Sequence, residues 1–180
     1  MNRTLLAFCA SLALCAAAFG QNGKVSKPAP AISLSLPNGT KTDLTKYNGK
    51  VRIVAFILTT CSHCQETCER LARLNKDYGP RGLQPLAAAF DDGAMMGIPD
   101  FITKHRVNFP VGVVPRDKVL EHLGFSIIAR VMVPQLMFID RKGTIRYQSS
   151  PDVSEHLHDE IRMRAVIEEL LKEPAAAAKK

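Results

Sequence analysis

Three cysteines fall within eight residues, in the run Cys61-Ser62-His63-Cys64-Gln65-Glu66-Thr67-Cys68. Sulfur at that density either cycles between dithiol and disulfide or ligates a soft metal. Cys61 and Cys64 have C-x-x-C spacing. If Cys61 opens a helix, the free N–H groups and macrodipole there stabilise its thiolate, and Cys64 lies one turn on, near enough to bridge. His63 between them adds partial or full positive charge and is expected to lower the Cys61 pKa further. A more stable thiolate favours the reduced pair, which makes the disulfide a stronger oxidant. Cys68 shares a helix face with Cys64. It is either a small buried hydrophobe beside Leu71 or half of a thiolate pair suited to copper. A structural zinc site would need a second ligand pair of similar spacing. The sequence has none.

The surrounding residues predict the elements that would present such a helix. Val51 to Leu58 is a β-branched run too continuous for a one-sided strand and reads as one buried on both faces. From Ser62 to about Tyr78 the pattern is helical, with Cys64, Cys68, Leu71 and Leu74 on one stripe, ended by Gly79-Pro80. Ile32, Leu34 and Leu36 alternate before a turn at Pro37-Asn38-Gly39, predicting a short hairpin arm. Strands follow over 83–90, 110–114 and 131–139, with helices near 99–106 and 117–123 between them. Arg141-Lys142-Gly143 turns the last of these strands into 144–148. A final helix starts after Pro151, with Asp152 as N-cap and Glu155 three residues on, and buries Met163, Val166, Ile167, Leu170 and Leu171. The order predicts an α/β fold, a central mixed sheet flanked by helices with an N-terminal hairpin extension.

The chain has 180 residues, 46% hydrophobic and 23% charged, with 11 Gly and 11 Pro. That balance excludes a disordered chain, a collagen and a polytopic membrane protein. The net charge of +7 is scattered with almost no interleaved aromatics, so a nucleic-acid groove is not expected. Arg3 precedes an uncharged apolar run from Leu5 to Phe19, too short to span a bilayer, and small residues follow at 16–20. Residues 1–20 therefore read as a signal peptide, with an uncleaved anchor as the alternative, and the mature protein as periplasmic. Residues 21–30 read as a linker, 31–173 as the folded domain and 174–180 as a loose tail. Cleavage would remove Cys9 and Cys15 and leave the three clustered cysteines in an oxidising compartment.

The strand, the Cys61-x-x-Cys64 helix and the later Val133-Pro134-Gln135-Leu136-Met137-Phe138-Ile139-Asp140 strand resemble the thioredoxin fold. The likeness is closest to the exported thiol–disulfide oxidoreductases of the TlpA/ResA (redoxin, AhpC/TSA-like) class, over roughly residues 28–173. In that class the proline matching Pro134 is cis and faces the cysteine pair, and the residue matching Val133 offers its backbone to the substrate. The resemblance implies that Cys61 attacks a substrate disulfide and Cys64 resolves the mixed disulfide. It implies protein thiols or disulfides as partners, an apocytochrome or a membrane redox protein among them, no cofactor beyond the redox-active disulfide, and room for an antioxidant activity. Two positions depart from the pattern: Thr60 stands where Trp is common before the first cysteine, and Ala55 where thioredoxins keep a buried acid. Glu66, on helical spacing, points away from the Cys64–Cys68 stripe.

Ser62-His63-Cys64-Gln65-Glu66-Thr67-Cys68 also resembles the copper site of Sco-type chaperones. Those proteins take a further histidine where this chain has Met132, so copper held by Cys64 and Cys68 is the second reading. The peroxiredoxin pattern wants Thr three residues before the reactive cysteine, and Leu58 stands there. His156 and His158, two apart on the expected final helix, read as solvated surface facing apart. His105 and His122 have no neighbours in sequence that mark them. Met95-Met96 reads as packing in a loop, and Arg70, Arg73 and Lys76 as the solvated face of the cysteine helix.

Overall fold

The structure, a computed structural model, describes residues 23–154 and 156–174. The expected signal peptide with Cys9 and Cys15, the partner acid Glu155, and residues 175–180 lie outside the described residues. In chain order the elements are β1 (Lys24–Pro28), β2 (Ser33–Ser35), β3 (Lys41–Asp43), β4 (Val51–Ile57), α1 (Ser62–Tyr78), β5 (Leu83–Ala89) and α2 (Ala94–Lys104). They continue with β6 (Val111–Val113), α3 (Arg116–Leu123), β7 (Gln135–Ile139), β8 (Thr144–Gln148) and α4 (Glu160–Lys172).

All seven residues of β4 are buried, Arg52 among its apolar neighbours included. It pairs in parallel with β5 and antiparallel with β7, at the middle of one mixed sheet of order β1-β8-β7-β4-β5-β6-β2-β3. Side chains alternate across a strand, so β4 feeds two cores. Val51, Ile53, Ala55 and Ile57 pack with α1, α2 and α4, while Val54 and Phe56 pack with α3 and the β2 arm. The arm is the expected hairpin, with Leu34 opposite Thr42. Ion pairs tie α1 to α4: Arg73 to Glu160 at 2.7 Å and Arg164 to Asp77 at 2.9 Å. No helix among the described residues is long and apolar enough to cross a membrane.

Four boundaries differ from the sequence reading. The expected linker at 21–30 contains β1, an edge strand antiparallel to β8 with Lys24 opposite Tyr147. Backbone pairing at an edge needs little apolar content, and an edge tolerates Pro28. Helix α2 begins at Ala94, well before Pro99, which sits inside it. Gly93 in the left-handed region (φ +76°) starts the turn, and burial of Ala94, Ile98 and Phe101 outweighs the backbone hydrogen bond that Pro99 cannot make. Helix α4 starts at Glu160, capped by Asp159, whose Oδ1 accepts from Ile161 N at 2.9 Å and Arg162 N at 3.1 Å. Asp152 instead closes a turn, accepting from the Ser150 hydroxyl at 2.6 Å. Val153 and His156 adopt positive φ and break any helix there. Finally, residues 131–134 are irregular and strand β7 begins only at Gln135.

Candidate active site

Strands β4, β5 and β6 run parallel, so their C-terminal ends share one edge of the sheet, where β7 arrives by its N-terminus with Gln135 opposite Phe56. The loops at 58–61, 90–93 and 125–134 therefore meet at that edge. Cys61 is the N-cap of α1, in extended conformation, with no side chain capping the first turn. Its N–H donates to Leu58 O at 3.2 Å and its carbonyl accepts from Gln65 N at 3.0 Å. The Val133–Pro134 peptide bond is cis. Val133 and Cys61 both pack, partly buried, against the same core.

The three cysteines are free thiols in unlike surroundings. Cys61 is half-buried, whereas Cys64 and Cys68 are fully buried among Ile53, Ala55 and Leu71. Burial is the main reason the Cys64 pKa is raised. A hydrogen bond between its thiol and the Cys61 side chain raises it further, and the Leu58 backbone works against both. The Cys68 thiol is pushed up to about 12, chiefly by burial, with Glu69 adding to it. Of the three sulfurs, only that of Cys61 belongs to a residue open to solvent.

His63 is exposed on the first turn of α1. Ala55 is buried in the sheet, with no carboxylate at that position. Glu66 turns outward and pairs with Arg70 at 3.1 Å. Cys64 and Cys68 share the inner face of α1, but among the described residues no group of three or more His, Cys, Asp or Glu is placed to hold a metal. Met132 is exposed beside the cis bond. His105, unmarked in sequence, is buried with its Nδ1 2.8 Å from Glu69 Oε1. His156 and His158 lie in the turn before α4 and not on a helix, with ring centroids 6.0 Å apart, so they do approach each other. Met95 and Met96 lie in the first turn of α2 rather than in a loop.

Two supporting residues were missed in the sequence. The Asp91 carboxylate accepts from Thr59 N at 2.9 Å and from the Thr59 hydroxyl at 2.5 Å, and Gln65 Nε2 donates to Thr59 O at 2.9 Å. This clamp fixes the backbone just before Cys61. Gln135 is buried, and its Nε2 donates to Met132 O at 2.7 Å and Ser150 O at 2.9 Å, tying the cis-prolyl loop to the turn before α4. Asp91 had one signal, an acidic Asp-Asp-Gly turn after a strand that ends at the cysteine edge. Gln135 had only its place after the proline.

A family model described as the AhpC/TSA family matches residues 25–148, more than half of the chain, from the second residue of β1 to the end of β8. The chain belongs to the AhpC/TSA family. It is 23% identical over 122 residues to the thiol-disulfide oxidoreductase ResA of Bacillus thuringiensis subsp. konkukian, covering 68% of this chain and 67% of that protein. ResA of Bacillus cereus is 21% identical over the same length. A thioredoxin-family thiol:disulfide interchange protein of Chlorobium tepidum superposes with a TM-score of 0.67 at 18% identity, over 82% of this chain and 97% of that one. A hypothetical protein of Sinorhizobium meliloti gives 0.69 at 18% identity, over 87% and 88%. The fold is thus thioredoxin-like, and the protein is an oxidoreductase of the thiol–disulfide class.

Proposed function

We propose that the protein, after export, exchanges disulfides with protein substrates through Cys61 and Cys64. The observation that carries this reading is the inequality of the two sulfurs: a half-buried Cys61 at the helix N-cap and a fully buried Cys64 one turn on. No side chain caps the first turn of α1, so its N–H groups and the helix dipole face the position where the Cys61 sulfur reacts. The Cys61 thiolate attacks one sulfur of a substrate disulfide, forming a mixed disulfide and releasing the other substrate sulfur as a thiolate. Cys64 then attacks the Cys61 sulfur. Its proton passes to the departing sulfur, the Cys61–Cys64 disulfide forms, and the substrate leaves as a dithiol once its first-released thiolate takes a proton from solvent. Run backwards, the same steps oxidise a substrate. With Ala55 in place of an acid, the reading assigns the Cys64 proton to the leaving substrate sulfur.

Val133 offers its backbone to the bound segment beside cis-Pro134. An apolar rim supports a polypeptide substrate: Met95, Met96, Ile127, Ile128 and Met132 are exposed, all in loops or a first turn at the cysteine edge. Exposed apolar patches of that kind mark protein contacts. Export rests on residues 1–20 of the sequence, and the apocytochrome or membrane partner on the family resemblance. The test is turnover. Reduced full-length protein mixed with a disulfide-bonded protein should release substrate thiols, and Cys61→Ser should release none. Undiminished release by Cys61→Ser would overturn the proposal.

A further inference from the structure

Away from the cysteine edge, α1 and the end of α2 enclose a cleft of about 420 Å³. Arg73 and Lys76 line it from α1, and Lys104, His105 and Arg106 from the end of α2, with Glu69 the one acidic residue among them. Glu69 is engaged by the buried His105 at 2.8 Å, and Arg73 by Glu160 at 2.7 Å. Lys76, Lys104 and Arg106 are exposed, and among the described residues none of them forms an ion pair. Three unpaired cations on one concave surface repel one another and raise the local concentration of anions.

Arg106 supplies a second observation. Helix α2 closes with Val107 N donating to Ile102 O at 3.0 Å and Arg106 N to Thr103 O at 3.4 Å, and Arg106 has φ +50°. That is the position after a helix end where glycine is favoured, because a Cβ crowds the left-handed backbone. The chain instead keeps a guanidinium there, beside two lysines. The frame beneath is locked: Asn108 Nδ2 donates to Ala72 O at 3.0 Å, and Asn75 Nδ2 to Asn108 Oδ1 at 3.0 Å.

We propose that this cleft binds a phosphate-bearing anion, held by Lys76, Lys104 and Arg106. A guanidinium offers a planar fork of N–H donors matched to two phosphate oxygens, and the ammonium groups add mobile point charges. The volume falls in the range of small-molecule sites. The phosphate belongs to a soluble compound or to a lipid headgroup, and the two sources separate experimentally.

The full-length protein is titrated with sodium pyrophosphate by calorimetry and, separately, floated with vesicles of phosphatidylglycerol or phosphatidylcholine. Saturable pyrophosphate binding is expected, weakened roughly tenfold in each of Arg106→Gly, Lys76→Gln and Lys104→Gln. Lys41→Gln, on the far arm, carries the same charge change and should leave it unaltered. Arg106→Gly relieves the left-handed position, so its melting temperature should be no lower than that of the parent. Pyrophosphate binding without flotation assigns a soluble ligand. Flotation only with phosphatidylglycerol, lost in the three cleft variants, assigns a headgroup. Absence of binding in both arms, or equal weakening by Lys41→Gln, overturns the proposal.

Discussion

Near its start, β4 sets Arg52 into the interior, 2% exposed, with its guanidinium donating to Asn48 Oδ1 at 2.8 Å and to Asp140 O at 3.3 Å. Burial holds the Arg52 pKa below its ordinary value, and the Asp140 charge offsets only part of that. The Asp140 carboxylate accepts from Lys142 N and Thr144 N, both at 2.9 Å, and closes the β7–β8 turn. Past its other end the same strand delivers Cys61 to a surface edged by five exposed aliphatic side chains. One end is a dense polar lattice in which a charge has been driven inside. The other leaves apolar groups in water and one sulfur uncovered. Polar contacts around a buried charge hold the Arg52 end, the exposed sulfur stands at the Cys61 end, and the buried remainder of β4 lies between them.

The strongest way to break that division is Arg52→Ala. It removes the donor from Asn48 Oδ1 and one of the two donors from Asp140 O, and opens a cavity in the sheet, so we expect a loss of about 3 kcal/mol in urea denaturation. Exchange per folded molecule should stay as in the parent. A fall in exchange without a loss of stability would show that the two ends are coupled.

Next comes pH. The folded state holds the Cys68 proton up to about 12 against an ordinary value of 9.0. Between those values the native state binds more protons than the unfolded one, so the contribution to stability is complete below 9.0 and is lost as pH rises. Reduced protein should lose on the order of 1 kcal/mol between pH 7 and pH 10 relative to Cys68→Ala, read from paired denaturation curves. Curves of identical pH dependence would mean that Cys68 is not closed off in solution.

Asp91→Ala releases the Thr59 N–H and hydroxyl. It should cost about 1 kcal/mol and slow exchange, because the clamp before Cys61 opens while the sheet stays intact. Retained exchange rates would show that the clamp does not position Cys61. The smallest effect is expected from Met96→Ser combined with Ile128→Ser, at side chains 87% and 90% exposed. Melting should not change, and the KM for a protein disulfide should rise severalfold while that for a small-molecule disulfide stays constant. A parallel rise in both KM values would remove the docking role of the rim.

What could be read from sequence was local. The β-branched run of β4, the helical stripe through Cys64, Cys68 and Leu71, and the turn at Arg141-Lys142-Gly143 each carry their signal within a few residues. Long-range pairings carry none. Strand β1 exists because β8 offers it a partner, and no periodicity at 24–28 announces that. Asp91 reaches Thr59 across 32 residues and His105 reaches Glu69 across 36, contacts that arise only once β4 is laid beside β5 and α1 beside α2. The start of α4 lies seven residues past Asp152, at a cap supplied by Asp159. The positive φ at Val153 and His156 rules out a helix starting at Asp152, and neither residue type predicts it. At the site, the spacing of Cys61 and Cys64 was evident, but not the difference in burial that separates their roles.

The account turns on Cys61 being the sulfur that meets the substrate and Cys64 the one that releases it. Trapping tests this directly. Cys64→Ser is incubated in reduced form with a disulfide-bonded protein, quenched in acid, and the covalent adduct is mapped by peptide mass. A stable mixed disulfide at Cys61, absent from Cys61→Ser, is the predicted result. An adduct at Cys68, or none in Cys64→Ser while the parent turns substrate over, would contradict it.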